Sequence, residues 1–247
     1  MTAPGNGDNV STLRAQLDRT ERQASARQHQ LERYAADLRE IFKQERSRAA
    51  ELRESYKATV RALSNAVEAR DAYTGKHAER VTAYGIALAR ASGLNTDSLP
   101  EIEFGFLLHD VGKVGVPDAI LFKPGALSED EFALIAQHPV IGSEILRDVE
   151  FLGEGKLVVR HHHERWDGSG YPDRLSGDQI PLAARVFAVA DALDALTTDR
   201  PYRRGTRFSR AREEIHNHSG TQFDPDVVAA YDTISDETFA ELRAGNA

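Results

Sequence analysis

The stretch FGFLLHDVGK, residues 104–113, places an imidazole and a carboxylate side by side directly after an apolar run. The run ends at Leu108, and His109 and Asp110 follow it. Such a pair is either a hydrogen-bonded feature of a core or part of a functional site. On its own it is a weak signal, so its meaning depends on the helices and polar residues around it.

The chain on both sides of this stretch has the pattern of helices joined by glycine and proline loops. One upstream helical face is made by residues at spacings of four, three and four: His77, Val81, Tyr84 and Leu88. Downstream, Ser128 and Glu131 form a Ser-x-x-Glu capping box, which marks the start of a helix that we expect to have His138 at its end. Helical periodicity resumes over residues 185–196, and no alternating strand pattern appears. We therefore expect an all-α fold, a helical bundle.

The N-terminal part predicts a long helix. Residues 1–10 are small and polar and predict a disordered tail, whereas residues 11–67 contain neither proline nor glycine. Apolar residues recur there at spacings of three and four, along the seam Leu31, Tyr34, Leu38, Ile41, Leu52, Tyr56, Val60, Leu63 and Val67. Polar residues interrupt this seam near Glu45. The pattern predicts a coiled coil that joins two copies in parallel; the alternative is a single helix packed along its own domain, residues 68–247.

Composition narrows the functional classes. The 247 residues carry a net charge of −8, which argues against a DNA-binding surface. The absence of cysteine excludes disulfides, thiolate metal sites and iron–sulfur clusters, so any metal must be held by His, Asp, Glu or water. No apolar run approaches the roughly 20 residues of a membrane span, and the N-terminus lacks a signal-peptide core. We therefore expect no membrane insertion and a cytoplasmic location.

Several polar residues stand out in this apolar helical context. They are His77, His109, Asp110, His138, His161, His162, His163, Asp191 and Asp194. Each has a structural alternative, because a single histidine on an apolar face is usually a hydrogen-bonded core residue. Together these alternatives would lower the stability of the fold, since each buried carboxylate without a partner costs several kcal/mol of folding free energy. A cluster of divalent cations resolves the cost, and Fe, Mn, Ni, Co or Zn would all accept such ligands.

The order of these residues resembles the HD phosphohydrolase superfamily, and in detail its HD-GYP branch, over about residues 67–227. The resemblance rests on the following motifs: His77, HDVGK at 109–113, LFKPG at 121–125, HHERWDGSGYP at 162–172, DALDAL at 191–196, DRPYR at 199–203, SG at 219–220 and FDP at 223–225. The ordered set is highly specific, although its HD pair alone would not be.

The resemblance implies hydrolysis of cyclic di-GMP to linear pGpG, or on to GMP, by a metal-bridged hydroxide. It implies the metal ligands His77, His109, Asp110, His138, His162, His163 and Asp191, with Asp110 bridging two ions, for which Fe or Mn are expected. Lys113 and Arg200 match positions that contact phosphate, and Tyr171 of the GYP triplet is assigned to substrate binding. Asp194 is expected to orient the nucleophile or relay a proton. His161 receives no role.

The expected number of metal ions is two. The HD-GYP proteins that hold three metals carry a glutamate four residues before the first ligand histidine, and this chain has Tyr73 there. A phenol with a pKa near 10 is a poor anionic ligand at neutral pH. The alternative is that a loop brings Asp71 or Glu68 inward.

Two functional alternatives stay open at this point. The chain could hydrolyse another cyclic dinucleotide, or it could be a non-catalytic module that binds nucleotide or a partner and signals. The resemblance also implies that the GYP loop docks diguanylate cyclase domains, although the loop could merely present the adjacent histidines. A sensor partner is a further expectation, because the sequence holds no recognisable input module.

Overall fold

A computed structural model describes residues 6–70, 76–95, 99–199 and 204–246, with side chains from residue 11 onward. The predicted all-α fold is confirmed, because these residues contain no strand and only an isolated bridge between Ser219 and Phe223. The helices are α1 (Asn6–Glu68), α2 (His77–Ala91), α3 (Leu99–Leu107), α4 (Asp118–Leu121), α5 (Glu129–Ile135), α6 (His138–Ile145), α7 (Gly155–His161), α8 (Leu182–Thr197), α9 (Phe208–Asn217), α10 (Pro225–Asp232) and α11 (Asp236–Gly245). Among the described residues, no helix is long and apolar enough to cross a membrane.

Helix α1 is 63 residues long and is shared between two compact units, Met1–Tyr56 and Lys57–Ala247. It begins at Asn6, so residues 6–10 are helical where their composition predicted a tail. Extending an existing helix by a few residues needs no new nucleus, which is why weak local propensity did not end it. In the first unit the predicted seam is exposed, with Leu31 at 67% and Leu38 at 53%.

The last turns of α1 belong to the second unit, within the segment that the sequence analysis assigned to the coiled coil. Val60 is 2% exposed and packs in an apolar cluster with Phe104 and Leu107 of α3. The Ser64 hydroxyl donates to the Leu107 carbonyl at 2.8 Å, and Lys57 pairs with Glu103 at 3.1 Å. The predicted seam therefore does not run unbroken to Val67, because Val60 is covered by its own chain.

The main core lies between α2 and α8, with α3, α7, α9, α10 and α11 around them. Val81, Tyr84 and Leu88 are each at most 1% exposed, so the predicted helical face of α2 is confirmed. Helices α3 and α7 approach closely where Gly105 faces Gly155, since a Cβ on Gly105 would overlap the Gly155 backbone. This contact packs the first residue of α7 against α3, and the histidines described next follow the last residues of both helices.

Candidate metal centre

The HD pair lies at the end of α3. His109 follows the last turn, and its Nδ1 bonds the Phe106 carbonyl at 2.9 Å. Asp110 precedes the short 3-10 helix Val111–Gly115 and is partly buried. The apolar run seen in the sequence therefore anchors α3 in the core and delivers an imidazole and a carboxylate to its end.

His138 reaches Asp110 because Gly112 lets two segments touch. A Cβ on Gly112 would overlap the His138 carbonyl oxygen, so only glycine allows α6 this close to the HD segment. The predicted position of His138, at the end of the helix that starts at Ser128, is wrong. The predicted capping box is confirmed, but α5 ends at Ile135 and His138 is the first residue of α6. Pro139 restarts the helix there, since proline suits the first helical turn.

The third contribution comes from the end of α7. His162 is the C-cap of α7, and His163 follows it. The Nδ1 atom of His162 bonds the Val159 carbonyl at 3.0 Å, and the His163 ring stacks on Tyr171 with 4.8 Å between ring centroids. The GYP loop is therefore folded back onto a histidine of the site.

The tautomers of these rings follow from their carbonyl partners. A carbonyl only accepts, so Nδ1 must carry the proton in His109, His138 and His162 when each ring is neutral. Each Nε2 then presents a lone pair. His138 Nε2 lies 3.2 Å from His162 Nε2 and 3.2 Å from Asp110 Oδ1, and His109 Nε2 lies 3.1 Å from Asp110 Oδ2.

Lone pairs and a carboxylate that converge in this way repel one another unless a cation lies between them. Histidine ligands of metals almost always donate their second N–H to a carbonyl or carboxylate, which is the arrangement found here. The donor set of imidazole nitrogens and carboxylate oxygens suits Zn, Fe, Mn or Ni. The residues therefore fit a divalent metal centre.

The donor atoms form two groups that share one carboxylate. Asp110, His138, His162 and His163 make one group, and His77, His109 and Asp110 make the other. Asp191 lies beside the second group, because its Oδ1 lies 3.5 Å from His77 Nε2. The structure thus places close together all seven residues that the resemblance implied as metal ligands, with Asp110 common to both groups.

Asp194 lies behind His77. Its Oδ2 bonds His77 Nδ1 at 2.8 Å, and its Oδ1 accepts from Arg80 Nε at 2.7 Å. Thr198 also donates to Oδ1 at 3.1 Å, and the residue is only 2% exposed. These partners engage both oxygens, so this geometry favours orienting the His77 ring over handling the nucleophile directly. Arg80 was missed by the sequence analysis, although an arginine three residues after His77 on an apolar face was a usable signal.

Burial and charge set the protonation of the site. Burial and the neighbouring imidazoles lower the pKa of His163 to about 3 and hold the pKa of His162 well below its ordinary value. Burial alone would raise the pKa of Asp110, but the charges of His109 and Lys113 hold it well below its usual range. His77 differs, because the Asp194 hydrogen bond and the Asp191 charge outweigh burial and raise its pKa. His162, His163 and Asp110 are therefore ready to bind a cation without first losing protons.

The group formed by His77, His109 and Asp110 borders a cavity of about 250 Å³. His77, His109, Asp110, His163 and Asp191 line it together with Lys113 and Glu68. Lys113 Nζ lies 2.8 Å from Asp110 Oδ2. Glu68 caps α2 through the Ala78 N–H and so places a carboxylate at this cavity, which the sequence analysis named only as an alternative. Arg200, Asp71 and Tyr73 lie outside the described residues.

His161 belongs to a different cluster with Glu164 and Asp173. The Glu164 carboxylate accepts the backbone N–H groups of Asp173 at 2.7 Å and Leu175 at 3.1 Å. Arg160 pairs with both oxygens of Asp173 at 2.7 and 2.8 Å. The Arg160 guanidinium already supplies a positive charge to this cluster. We therefore interpret the cluster as a structural contact that holds the GYP loop against α7. The role of Glu164 was not predicted, because its partners are backbone groups that no sequence pattern reveals.

Comparisons with known proteins agree with this geometry. A family model described as an HD domain matches residues 61–227. The 3'3'-cGAMP-specific phosphodiesterase 2 of Vibrio cholerae is 43% identical over 196 residues, covering 78% of this chain and 37% of that protein. The cyclic di-GMP phosphodiesterase response regulator RpfG of Xanthomonas campestris is 41% identical over 182 residues, covering 73% of this chain and 48% of that protein.

Solved structures share the fold. A cyclic GMP-AMP specific phosphodiesterase of V. cholerae superposes with a TM-score of 0.59 at 20% identity, covering 74% of this chain and 50% of that chain. Bd1817, an HD-GYP-type protein of Bdellovibrio bacteriovorus, superposes with a TM-score of 0.54 at 22% identity, covering 72% of this chain and 62% of that chain.

The chain spans less than half the length of these two curated relatives, so it corresponds to one part of such proteins. Within that part, the family model covers the segment that holds all seven candidate ligands. Family model, relatives and metal-ligand geometry agree: the chain belongs to the HD domain family, in its HD-GYP branch.

Proposed function

We propose that this chain is a metal-dependent phosphodiesterase that hydrolyses cyclic di-GMP to linear pGpG. The observation that carries the proposal is the pair of ligand groups that share Asp110. A carboxylate common to two groups can hold two cations at adjacent positions. We propose two divalent ions, Fe or Mn, and the activity of relatives named as cyclic di-GMP phosphodiesterases supports the choice of substrate.

Bound divalent cations would lower the pKa of an attacking water and offset charge on the phosphoryl oxygens. The chain's own residues position the substrate. Lys113 lies at the cavity beside Asp110 and supplies a positive charge for a phosphate. Arg200 supplies a second, bidentate donor in this proposal. Burial raises the pKa of Tyr171, so its hydroxyl keeps its proton and can donate to the substrate.

Asp194 acts in this proposal through His77 rather than on the water. Its carboxylate fixes the ring so that Nε2 faces Asp191. Arg80 in turn holds the carboxylate ionised, since it helps to lower the pKa of Asp194 to about 2 against the effect of burial. Asp194 is therefore a positioning residue.

A second candidate substrate is 3'3'-cGAMP, because a relative that is 43% identical is named as specific for it. Both substrates contain guanine and the same phosphodiester linkage. The metal centre alone does not distinguish them, so discrimination must lie in the walls of the adjoining cavity.

We also propose that the chain forms a homodimer through α1. Leu31, Tyr34, Leu38 and Ile41 are each more than half exposed on one stripe at coiled-coil spacing. An exposed apolar stripe of this kind is most simply covered by a second copy.

Signals from a sensor partner would reach the domain through this helix, and the GYP loop is the proposed docking surface for a diguanylate cyclase.

The experiment that tests the proposed function uses one anaerobically purified sample for two measurements. Metal analysis gives the ion content, and an assay of cyclic di-GMP hydrolysis gives the activity. We expect bound divalent metal together with pGpG formation in the wild type. Asp110→Ala should lose both while its helical circular dichroism survives, and Asp148→Ala, at an exposed position, is the matched control. Full turnover by folded Asp110→Ala would refute the assignment.

A further inference from the structure

A second, larger cavity of about 620 Å³ adjoins the metal centre. His162, His163 and Asp191 line one end of it. The rest is formed by α8, α9, the segment after α9, and Glu164, Arg165 and Tyr171. A phosphodiester at the metal centre would place one of its nucleosides at or near this cavity, because the ribose and base extend a few ångströms from phosphorus.

One part of the cavity lining is apolar. Ala188, Ala192 and Ala195 line the cavity from α8, on the side of the helix that also carries Asp191. Ile215 and Phe223 also line the cavity and are at most 4% exposed. Small side chains along a helix next to two buried apolar groups leave a surface on which a planar ring can lie.

Another part of the cavity lining is polar. Glu214 and His218, at the end of α9, line the cavity with Gln222 and Arg165. The His218 Nδ1 bonds the Glu214 backbone carbonyl at 2.9 Å, whereas the Glu214 Oε1 lies 3.8 Å from the same atom, beyond hydrogen-bond distance. The Gln222 carbonyl accepts from Trp166 N–H at 3.2 Å, which fixes this segment against the loop that carries the histidines.

We propose that this cavity is a base subsite that selects guanine, with the Glu214 carboxylate as the reading group. This inference rests on the proposed function, since it assumes a cyclic dinucleotide at the metal centre. Guanine presents two adjacent donors, N1–H and the N2 amino group, which a carboxylate can accept together. Adenine presents an unprotonated N1 at the corresponding edge, and a lone pair there repels a carboxylate.

One guanine satisfies this subsite. Cyclic di-GMP offers two guanines and 3'3'-cGAMP offers one, so both should bind, whereas cyclic di-AMP offers none and should be rejected. A bidentate contact to a base edge discriminates by about ten- to a hundred-fold in nucleic-acid recognition, and we expect a preference of that size here. The expected selectivity is therefore against a pair of adenines rather than between the two guanine-containing substrates.

The test measures equilibrium binding to the metal-loaded full chain with non-hydrolysable phosphorothioate analogues of cyclic di-GMP and cyclic di-AMP. Wild type should prefer the guanine compound by about ten- to a hundred-fold. Glu214→Gln should reduce this ratio at least several-fold, because an amide can offer a donor to adenine N1. Glu213→Gln is the matched control: it lies on the same helix, is exposed and pairs with Arg210, so it should keep the wild-type ratio.

The two proposals can fail separately. Hydrolysis of bis(p-nitrophenyl) phosphate, which has no base, by the wild type reports on the metal centre alone. If wild type binds both analogues equally, or Glu214→Gln keeps the full guanine preference while bound and folded, the base subsite is wrong whatever the hydrolysis result. If the preference behaves as expected but no phosphodiester is cleaved, the subsite stands and the proposed catalytic function fails.

Discussion

The Nε2 atoms of His138 and His162 face each other at 3.2 Å, while the Nδ1 atom of each ring bonds a backbone carbonyl. Both facing nitrogens therefore present lone pairs when the rings are neutral. Burial keeps His162 neutral, because it holds the pKa well below the ordinary value. Two buried lone pairs at this separation repel each other unless a cation lies between them. We therefore interpret this pair as part of a metal centre.

Removing the positive charge at the cavity should weaken substrate use without emptying the metal centre. Lys113→Ala and Arg200→Ala should each cost about 1.5–3 kcal/mol in kcat/KM, the size of one charge-assisted contact. Metal content should stay near the wild-type value, since a protonated amine or guanidinium is not a ligand. Steady-state kinetics and metal analysis on the same preparations give both quantities.

Lys123→Ala is the matched control for this pair, because Lys123 pairs with Glu131 rather than with a site residue. It should keep wild-type kinetics. A loss of metal in Lys113→Ala or Arg200→Ala as complete as in Asp110→Ala would mean that the residue had been assigned the wrong role.

Asp194→Asn should weaken one of the two ions selectively. The amide keeps the shape of the buried side chain but no longer supplies a full negative charge to His77 Nδ1 and Arg80. Substitution of such an outer partner typically costs about 10–100-fold in metal affinity. Titration with a chelator should show one ion leaving early and the other retained, with Asp148→Asn as the control. Equal weakening of both ions would contradict a role through His77.

The stability of the metal-free protein should fall as the pH decreases. His163 has a pKa of about 3 when folded, against about 6.5 for an unperturbed imidazole. Below about pH 6.5 the unfolded chain therefore binds protons that the folded site refuses, which lowers the free energy of unfolding. The raised pKa of His77 acts in the opposite direction, but His162 reinforces His163.

Calorimetry of the metal-free protein between about pH 7.5 and pH 5 measures this dependence. The Tm of the wild type should drop as the pH falls across that range. The Tm of His163→Asn should drop less, because this variant lacks one imidazole that binds a proton only in the unfolded chain. A Tm that stays level or rises on acidification would show that the imidazoles are not held neutral.

The homodimer proposal makes a prediction about α1. Leu31→Glu together with Leu38→Glu should convert the protein to a monomer, because two charges would enter the exposed apolar stripe. Ala36→Glu adds a charge off the stripe and is the control. Light scattering gives the mass of each variant in solution, and a monomeric wild type at micromolar concentrations with α1 intact would end the proposal.

The sequence was sufficient for features that depend on local periodicity and ordered motifs. The apolar face of Val81, Tyr84 and Leu88 was predicted because the spacing of a helix is local. The convergence of the candidate ligands followed from the resemblance rather than from any calculation of distance. Their roles as ligands stay predictions.

The remaining features depend on contacts between distant segments. Val60 fits the coiled-coil spacing, but in the folded chain α3 covers it. His138 was predicted to lie at a helix end because the helix break before Pro139 was not considered. The relation of Arg80 to Asp194 and the cavity beside Glu214 exist only after α2, α8 and α9 have packed. Pattern reading has no access to such tertiary placement.

The number and position of metal ions test the central claim most directly. Anomalous scattering from crystals of the metal-loaded protein should show two ions that share Asp110, one beside His77, His109 and Asp191 and the other beside His138, His162 and His163. Tyr73 offers no carboxylate for a third ion, and Glu68 already caps α2. Three well-occupied ions within about 4 Å of one another would contradict the dinuclear account, and no ion at Asp110 would contradict the metal centre itself.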